Sequence, residues 1–113
     1  MPEDDWVIVN EFGKNSVMIR ESDVAHSGSL VRAPVRYLLD PPGTDKRNGR
    51  AIAEWTLIEE YDLEKSLVRL HRGIFTYVGG ESGEQTFAPD WQPATAGSEK
   101  TLLYLRGAIQ RRH

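Results

Sequence analysis

The feature that most constrains this chain is a pair of alternating runs within residues 50–78, separated by a short polar junction. In the first run, apolar residues recur at alternate positions and include Ala53, Trp55, Leu57 and Tyr61. A period of two places successive side chains on opposite faces of a β-sheet. The second run, residues 67–78, is rich in β-branched and aromatic residues, which suit a half-buried pleated surface. Because the junction 62–66 has the length of a hairpin connection, the two runs predict a central antiparallel hairpin.

Further strands are predicted on the N-terminal side of this hairpin. Residues 6–9 and 17–19 are apolar runs with β-branched members, and the turn signal Gly13-Lys14-Asn15 lies between them. They predict a first hairpin. Residues 30–39 alternate again. Since proline donates no backbone hydrogen bond, Pro34 predicts that this strand lies at an edge of the sheet or contains a bulge there.

Two segments are predicted as loops. Residues 40–49, DPPGTDKRNG, are full of turn formers and are long for a hairpin connection. Residues 79–93 are rich in glycine and acidic residues. The large apolar residues of this second segment, Phe87 and Trp91, are expected to pack back onto the sheet as anchors.

The period changes near the C-terminus, where apolar residues recur at helical spacing. The apolar stripe comprises Leu102, Leu105 and Ile109, widened by Leu103 and Tyr104. Ser98 is the expected N-cap. A helix of about three turns across one face of an antiparallel sheet would bury both apolar surfaces. The chain is therefore predicted to be a single α+β domain over residues 1–113, with an antiparallel sheet of about five or six strands and a C-terminal α-helix packed on one face.

Length and composition exclude several classes of protein. A chain of 113 residues supports one modest core. Its net charge of −3 argues against a general nucleic-acid binder, whose affinity comes mainly from cations that neutralise phosphates. Without cysteine, the fold is held by packing, with neither disulfides nor thiolate metal sites. No apolar stretch approaches the roughly 20 residues that span a bilayer, so no membrane span is predicted.

No motif predicts catalysis, a metal or a cofactor. The three histidines are scattered without a short metal-binding spacing, at His26, His71 and His113. His71 is closely flanked by arginines, which disfavour a bound cation. Neither a nucleophile elbow nor a phosphate-binding glycine loop is present. The sequence therefore predicts a protein that is not an enzyme and needs no cofactor.

A group of basic residues forms the candidate ligand-binding site, namely Lys46, Arg47, Arg50, Arg69 and Arg72. Such a group would meet an acidic protein segment or an acidic, for example sulfated, polysaccharide through charge-assisted contacts. The alternative interpretation is that these arginines, together with Arg32 and Arg36 of the preceding strand, pair across strands with Glu54, Glu59 or Glu60 and keep the sheet soluble. The alternative is favoured, because opposite charges across strands are common.

A series of short motifs also runs through nearly the whole chain. They are Trp6-Val7-Ile8, residues 31–39, Trp55 with Tyr61-Asp62, Arg69 with Arg72, Tyr77, Trp91-Gln92-Pro93 and Gly97-Ser98. In this order they resemble the mature domain of the bacterial surface-adhesin protein E-like lipoproteins. The resemblance implies an antiparallel sheet with a C-terminal helix, and a non-catalytic envelope or surface module that binds a protein ligand. It also implies that the domain can dimerise. The alternative function is structural: an exposed edge strand or apolar sheet face makes a homodimer, without a host ligand.

The chain departs from that family at its cysteines. Family members typically carry one cysteine after the aromatic residue of the long strand and another near the chain end. Here the corresponding neighbourhoods hold residues 60–63 and Leu105 or Ile109, so hydrophobic packing is expected to replace the disulfide. The resemblance places the domain in the periplasm or at the outer-membrane surface if an export signal was removed. A native start at Met1 would instead make it cytoplasmic.

Overall fold

The computed structural model describes residues 6–111, which form one antiparallel sheet and a C-terminal helix. The strands are β1 (Trp6–Phe12), β2 (Asn15–Arg20), β3 (Ala25–Ser27), β4 (Leu30–Thr44), β5 (Ala51–Asp62), β6 (Leu67–Tyr77), β7 (Ser82–Thr86) and β8 (Gln92–Pro93), and the helix is α1 (Ala96–Arg111). The main strand order is β1-β2-β4-β5-β6-β7, while β3 pairs with β4 and β8 pairs with β6. The predicted α+β class is confirmed.

The central hairpin is confirmed as β5 and β6. Its register runs from the pair Asp62 and Leu67 beside the turn to the pair Ile52 and Tyr77 at the far end. Ser66 completes the turn with a φ of 57°, in the left-handed region that turns use. The first hairpin is also confirmed, because β1 pairs with β2 around a turn that contains Gly13 at a φ of 60°.

The edge position predicted from Pro34 is wrong, because β4 lies between β2 and β5. Pro34 pairs in regular register with Ile58 of β5, so no bulge occurs there. On the other side of β4, the pairing with β2 ends at Val35 and the pairing with β3 begins at Arg32. The ladder is thus already interrupted where proline lacks its N–H, which explains how an interior strand accommodates it.

The predicted loop 40–49 is wrong in its first half. β4 continues through Thr44, which pairs with Ala51, after an irregularity between Leu38 and Gly43. The prolines of this stretch therefore lie in an irregular strand. Only residues 45–50 form the connecting turn, which is closed by a hydrogen bond of 2.8 Å from the Asp45 N–H to the Arg50 carbonyl.

The predicted loop 79–93 contains the two short strands β7 and β8. Neither has an apolar alternation, and both add to β6, which supplies the backbone pairing. Phe87 packs against the buried Ile52, Phe75 and Tyr77, which confirms its role as an anchor. Trp91 is half-buried, and the Arg69 guanidinium lies 4.3 Å from its ring centroid.

The main core lies between α1 and one face of the sheet. Its buried residues are Val17, Ile19, Val24, Val31, Ala33, Val35, Tyr61, Leu102, Leu105 and Ile109. Two predictions for the helix are wrong. α1 begins at Ala96, so Ser98 lies in the first turn, where its Oγ accepts a hydrogen bond of 3.1 Å from the Thr95 N–H. Leu103 is 52% exposed and lies off the buried stripe.

The buried stripe of α1 predicts the cost of truncating it. Leu105 is fully buried and Ile109 is 8% exposed, so Leu105→Ala and Ile109→Ala should each lower the free energy of unfolding by about 2–5 kcal/mol. Leu103→Ala is the matched control on the same helix and should change it by less than about 0.5 kcal/mol. Urea unfolding measures all three. Equal stability of the wild type and both buried variants would contradict a core closed by α1.

Candidate ligand-binding site

One face of β5 carries four side chains in alternation, Trp55, Leu57, Glu59 and Tyr61. The core beneath α1 includes Tyr61 at one end of this row, while Phe87 and its neighbours cover the Trp55 end. Two depressions lie between the two ends. Both are bordered by Leu57 and Leu70, so they adjoin each other on the sheet.

The first depression, here called the apolar pocket, has a volume of about 350 Å³. Its apolar walls are Ile52, Trp55, Leu57, Leu70, Phe75 and Phe87. The turn after β4 adds Lys46 and Arg47 to the lining. Gly73 makes the close packing of the wall possible, because a Cβ there would lie 2.6 Å from the Leu57 side chain and 3.3 Å from that of Phe87.

Trp55 and Phe75 form the aromatic wall of the apolar pocket. Their rings meet edge to face, with centroids 5.6 Å apart and an interplanar angle of 69°. The indole Nε1–H of Trp55 is buried, and nothing within residues 6–111 accepts a hydrogen bond from it. Burying an indole N–H without an acceptor costs about 1–3 kcal/mol.

Asp45 fixes the turn beside the apolar pocket. Its buried carboxylate accepts hydrogen bonds from Arg47 Nε at 3.1 Å, Arg47 Nη2 at 3.0 Å and Tyr77 Oη at 2.5 Å. These contacts with Arg47 and Tyr77 hold the pKa of Asp45 well below its usual range. The Arg47 guanidinium also lies 5.3 Å from the centroid of Phe75. The charge of Arg47 is thus neutralised, whereas Lys46 makes no ion pair within residues 6–111.

The predicted basic group does not form one continuous surface. Lys46 and Arg47 line the apolar pocket, and Arg69 lines the second depression. Arg50 and Arg72 line neither. Besides Arg47, each arginine of the group has a carboxylate partner: Arg50 with Glu81 at 3.0 Å, Arg69 with Glu60 at 2.6 Å and Arg72 with Glu84 at 3.3 Å.

The interpretation that arginines pair across strands is confirmed for two of the three glutamates considered. Glu60 pairs with Arg69, its direct partner in the register of β5 and β6. Glu54 pairs with Arg36 of β4 at 2.7 Å. For Glu59 the interpretation is wrong, because this carboxylate makes no ion pair with any of residues 6–111.

Glu59 lies in the second depression, here called the Glu59 pocket, whose volume is about 400 Å³. The residue is only 2% exposed. Tyr37 Oη donates a hydrogen bond of 2.5 Å to one carboxylate oxygen, and Tyr61 Oη donates one of 2.5 Å to the other. Burial raises the pKa of Glu59, and it also raises the pKa values of both tyrosines, with a further contribution from Glu59.

Sequence reasoning did not single out Glu59, although a signal was present. Residue 59 lies between Leu57 and Tyr61 in the period of two, so the alternation itself places its side chain on the apolar face. Its charge suggested an exposed position instead. The partner Tyr37 comes from another strand, and only the pairing of β4 with β5 brings it close.

His71 has an acidic partner that the sequence did not identify. Its Nε2 lies 3.0 Å from Glu60 Oε1 and 3.4 Å from a nitrogen of Arg32. The same Glu60 carboxylate already accepts from Arg69. In the part of the chain that the structure describes, no group of three or more acidic and histidine side chains is arranged to hold a metal ion.

No family model matches this chain, and the comparisons with curated proteins and with solved structures found no match. The relationship to the surface-adhesin protein E-like lipoproteins therefore stays a prediction. Within residues 6–111, no helix has the length and apolar character needed to cross a bilayer.

Glu59→Gln should reduce the pH dependence of stability above pH 4.5, the ordinary pKa of a glutamate. Because burial raises the pKa of Glu59, the folded chain binds this proton more tightly than the unfolded chain does. The stabilisation is fully present below that value and is lost as the pH rises through the folded pKa. Glutamine does not ionise, so the variant should lose less stability with rising pH.

Urea unfolding at several values between pH 4.5 and about pH 8 measures this difference. Glu99→Gln, on an exposed part of α1, controls for the loss of one carboxylate. Parallel pH profiles for the wild type and Glu59→Gln would contradict a raised pKa at Glu59.

Proposed function

We propose that this chain is a non-catalytic binding module whose ligand is a small amphipathic carboxylate. The observation that carries the proposal is the apolar pocket, which combines aromatic walls with a cationic turn. Its volume of about 350 Å³ lies in the range of small-molecule sites, which are mostly apolar with a few placed polar groups. The apolar body of the ligand would lie against Trp55, Leu70 and Phe87.

Lys46 would bind the carboxylate. Arg47, its neighbour in the turn, already has both the Asp45 carboxylate and the Phe75 ring as partners. The Lys46 ammonium has no such carboxylate within residues 6–111, so a ligand would not have to displace one. A charge-assisted hydrogen bond is stronger than a neutral one, which favours an anionic head group at this position.

The ion pairs of the basic group favour a single anionic group over a polyanion. Arg50, Arg69 and Arg72 each have a carboxylate within 3.3 Å. A polysaccharide that bound along these residues would have to replace those partners. A protein ligand, as the family resemblance implies, would instead present one acidic side chain beside an apolar one. The envelope location and the adhesin role that the resemblance implies remain predictions.

Calorimetric titration of the full chain with decanoate tests the proposed ligand. Lys46→Ala should weaken binding about tenfold, which corresponds to about 1.4 kcal/mol, because the charge-assisted contact is lost. Lys14→Ala, in the exposed turn between β1 and β2, is the matched control and should bind like the wild type. Each methylene removed from the acid should weaken binding about fourfold. Equal affinities of the two lysine variants, or no binding at all, would refute the proposal.

The edge of the sheet supports a second candidate function, which is homodimerisation. β1 is the terminal strand of the main order and exposes three large apolar residues, Val7 at 38%, Ile8 at 53% and Phe12 at 48%. An exposed apolar edge strand is a template for pairing with a second copy.

Light scattering over a range of concentrations tests the dimer. A mass that rises toward twice that of one chain, and that returns to one chain in Ile8→Lys, would support it. Glu11→Lys, on the same strand at a polar exposed position, controls for added positive charge. A mass of one chain at every concentration would eliminate this function.

A further inference from the structure

The Glu59 pocket contains a carboxylate that has no cationic partner among residues 6–111. Arg69 lines the same pocket, but its Nε lies 2.6 Å from Glu60 and its guanidinium stacks 4.3 Å from the centroid of Trp91. Glu59 has only neutral tyrosine hydroxyls as hydrogen-bond partners within residues 6–111. A buried carboxylate is costly unless it is paired or protonated. A ligand cation would supply the missing charge.

The two tyrosines hold the Glu59 carboxylate in place and leave it capacity to bind. Each of them donates to a different oxygen, and Tyr61 is fully buried in the core. An ionised carboxylate accepts about four hydrogen bonds, so about two positions remain. The surrounding pocket is mostly apolar, with Leu57, Val68 and Leu70 in its lining.

We propose that the Glu59 pocket binds an organic cation, a primary ammonium on a short apolar stem. The ammonium donates hydrogen bonds to Glu59, and the stem lies against Leu57, Val68 and Leu70. A divalent metal ion fits less well, because it needs several hard ligands and Glu59 is the one carboxylate in the described lining of this pocket. Binding of the ammonium does not require a carboxylate ligand in the apolar pocket, although Leu57 and Leu70 border both pockets.

Proton binding competes with the ammonium at Glu59. The titratable groups that face it are Tyr37 from β4 and Tyr61 from β5, while Arg69 of β6 lines the pocket and directs its guanidinium to Glu60. The raised pKa values of the tyrosines keep them neutral, and arginine stays charged. From α1, Ser98 lines the pocket and does not titrate. The affinity for the ammonium should therefore rise with pH as Glu59 loses its proton.

Titration of the full chain with butylammonium, followed by NMR chemical shifts, tests the proposal at about pH 5 and about pH 8. The wild type should bind more tightly at the higher pH. Glu59→Gln should weaken binding at least about tenfold and remove the pH dependence. Glu54→Gln is the matched control, because its carboxylate pairs with Arg36 on the opposite face of β5, and it should bind like the wild type. Butanol, a neutral probe of similar size, should bind at least about tenfold more weakly than butylammonium.

Three results would overturn the proposal: no binding of butylammonium to the wild type, equal binding by Glu59→Gln, or equal affinity for butanol. If Glu59→Gln fails to fold, Tyr37→Phe removes a single hydroxyl from the site and should change the affinity and its pH dependence. An unchanged Tyr37→Phe would then count against the site. Two crossed titrations separate the two proposed sites. Glu59→Gln should still bind decanoate if the apolar pocket is a site, and Lys46→Ala should still bind butylammonium if the Glu59 pocket is a site.

Discussion

The register of β5 between β4 and β6 is the constraint on which the rest of the structure depends. A slip of one residue would move Trp55, Leu57 and Tyr61 to the opposite face of the sheet. The alternate residues of β5, such as Glu54, would then face the core. The core beneath α1, the aromatic wall of the apolar pocket and the buried Glu59 all require the same register. Core packing and the candidate sites are therefore set by one pairing pattern.

Periodicity in the sequence was sufficient to predict the strands and the helix that bury an apolar face. The central hairpin and the helix follow from it because their burial patterns repeat at 2.0 and 3.6 residues. β7 could not be predicted, since its sequence SGEQT has no apolar alternation and its pairing is supplied by the edge of β6. The edge position predicted from Pro34 was wrong for a related reason. Only the tertiary arrangement shows that the ladder on one side of β4 is interrupted beside Pro34.

The candidate sites were predictable to a smaller degree. Turn composition located Lys46 and Arg47, and the isolation of Phe87 in a polar segment indicated an anchor. Glu59 was missed because its charge suggested an exposed side chain, whereas its position in the alternation places it on the apolar face. An acidic residue that interrupts an apolar row is a strong indication of a functional site. Its hydrogen bond from Tyr37 joins two strands and could not be read from local sequence.

Gly73 affects the shape of both pockets, because it lies against a side chain that they share. A methyl group at this position would press on Leu57, one of the two leucines that border both pockets. Any shift of Leu57 that relieves this contact changes the space available on both sides of it. This glycine of β6 thus sets how the volume between turn and helix is divided, and substitutions there would alter the relative sizes of the two pockets without touching a polar group.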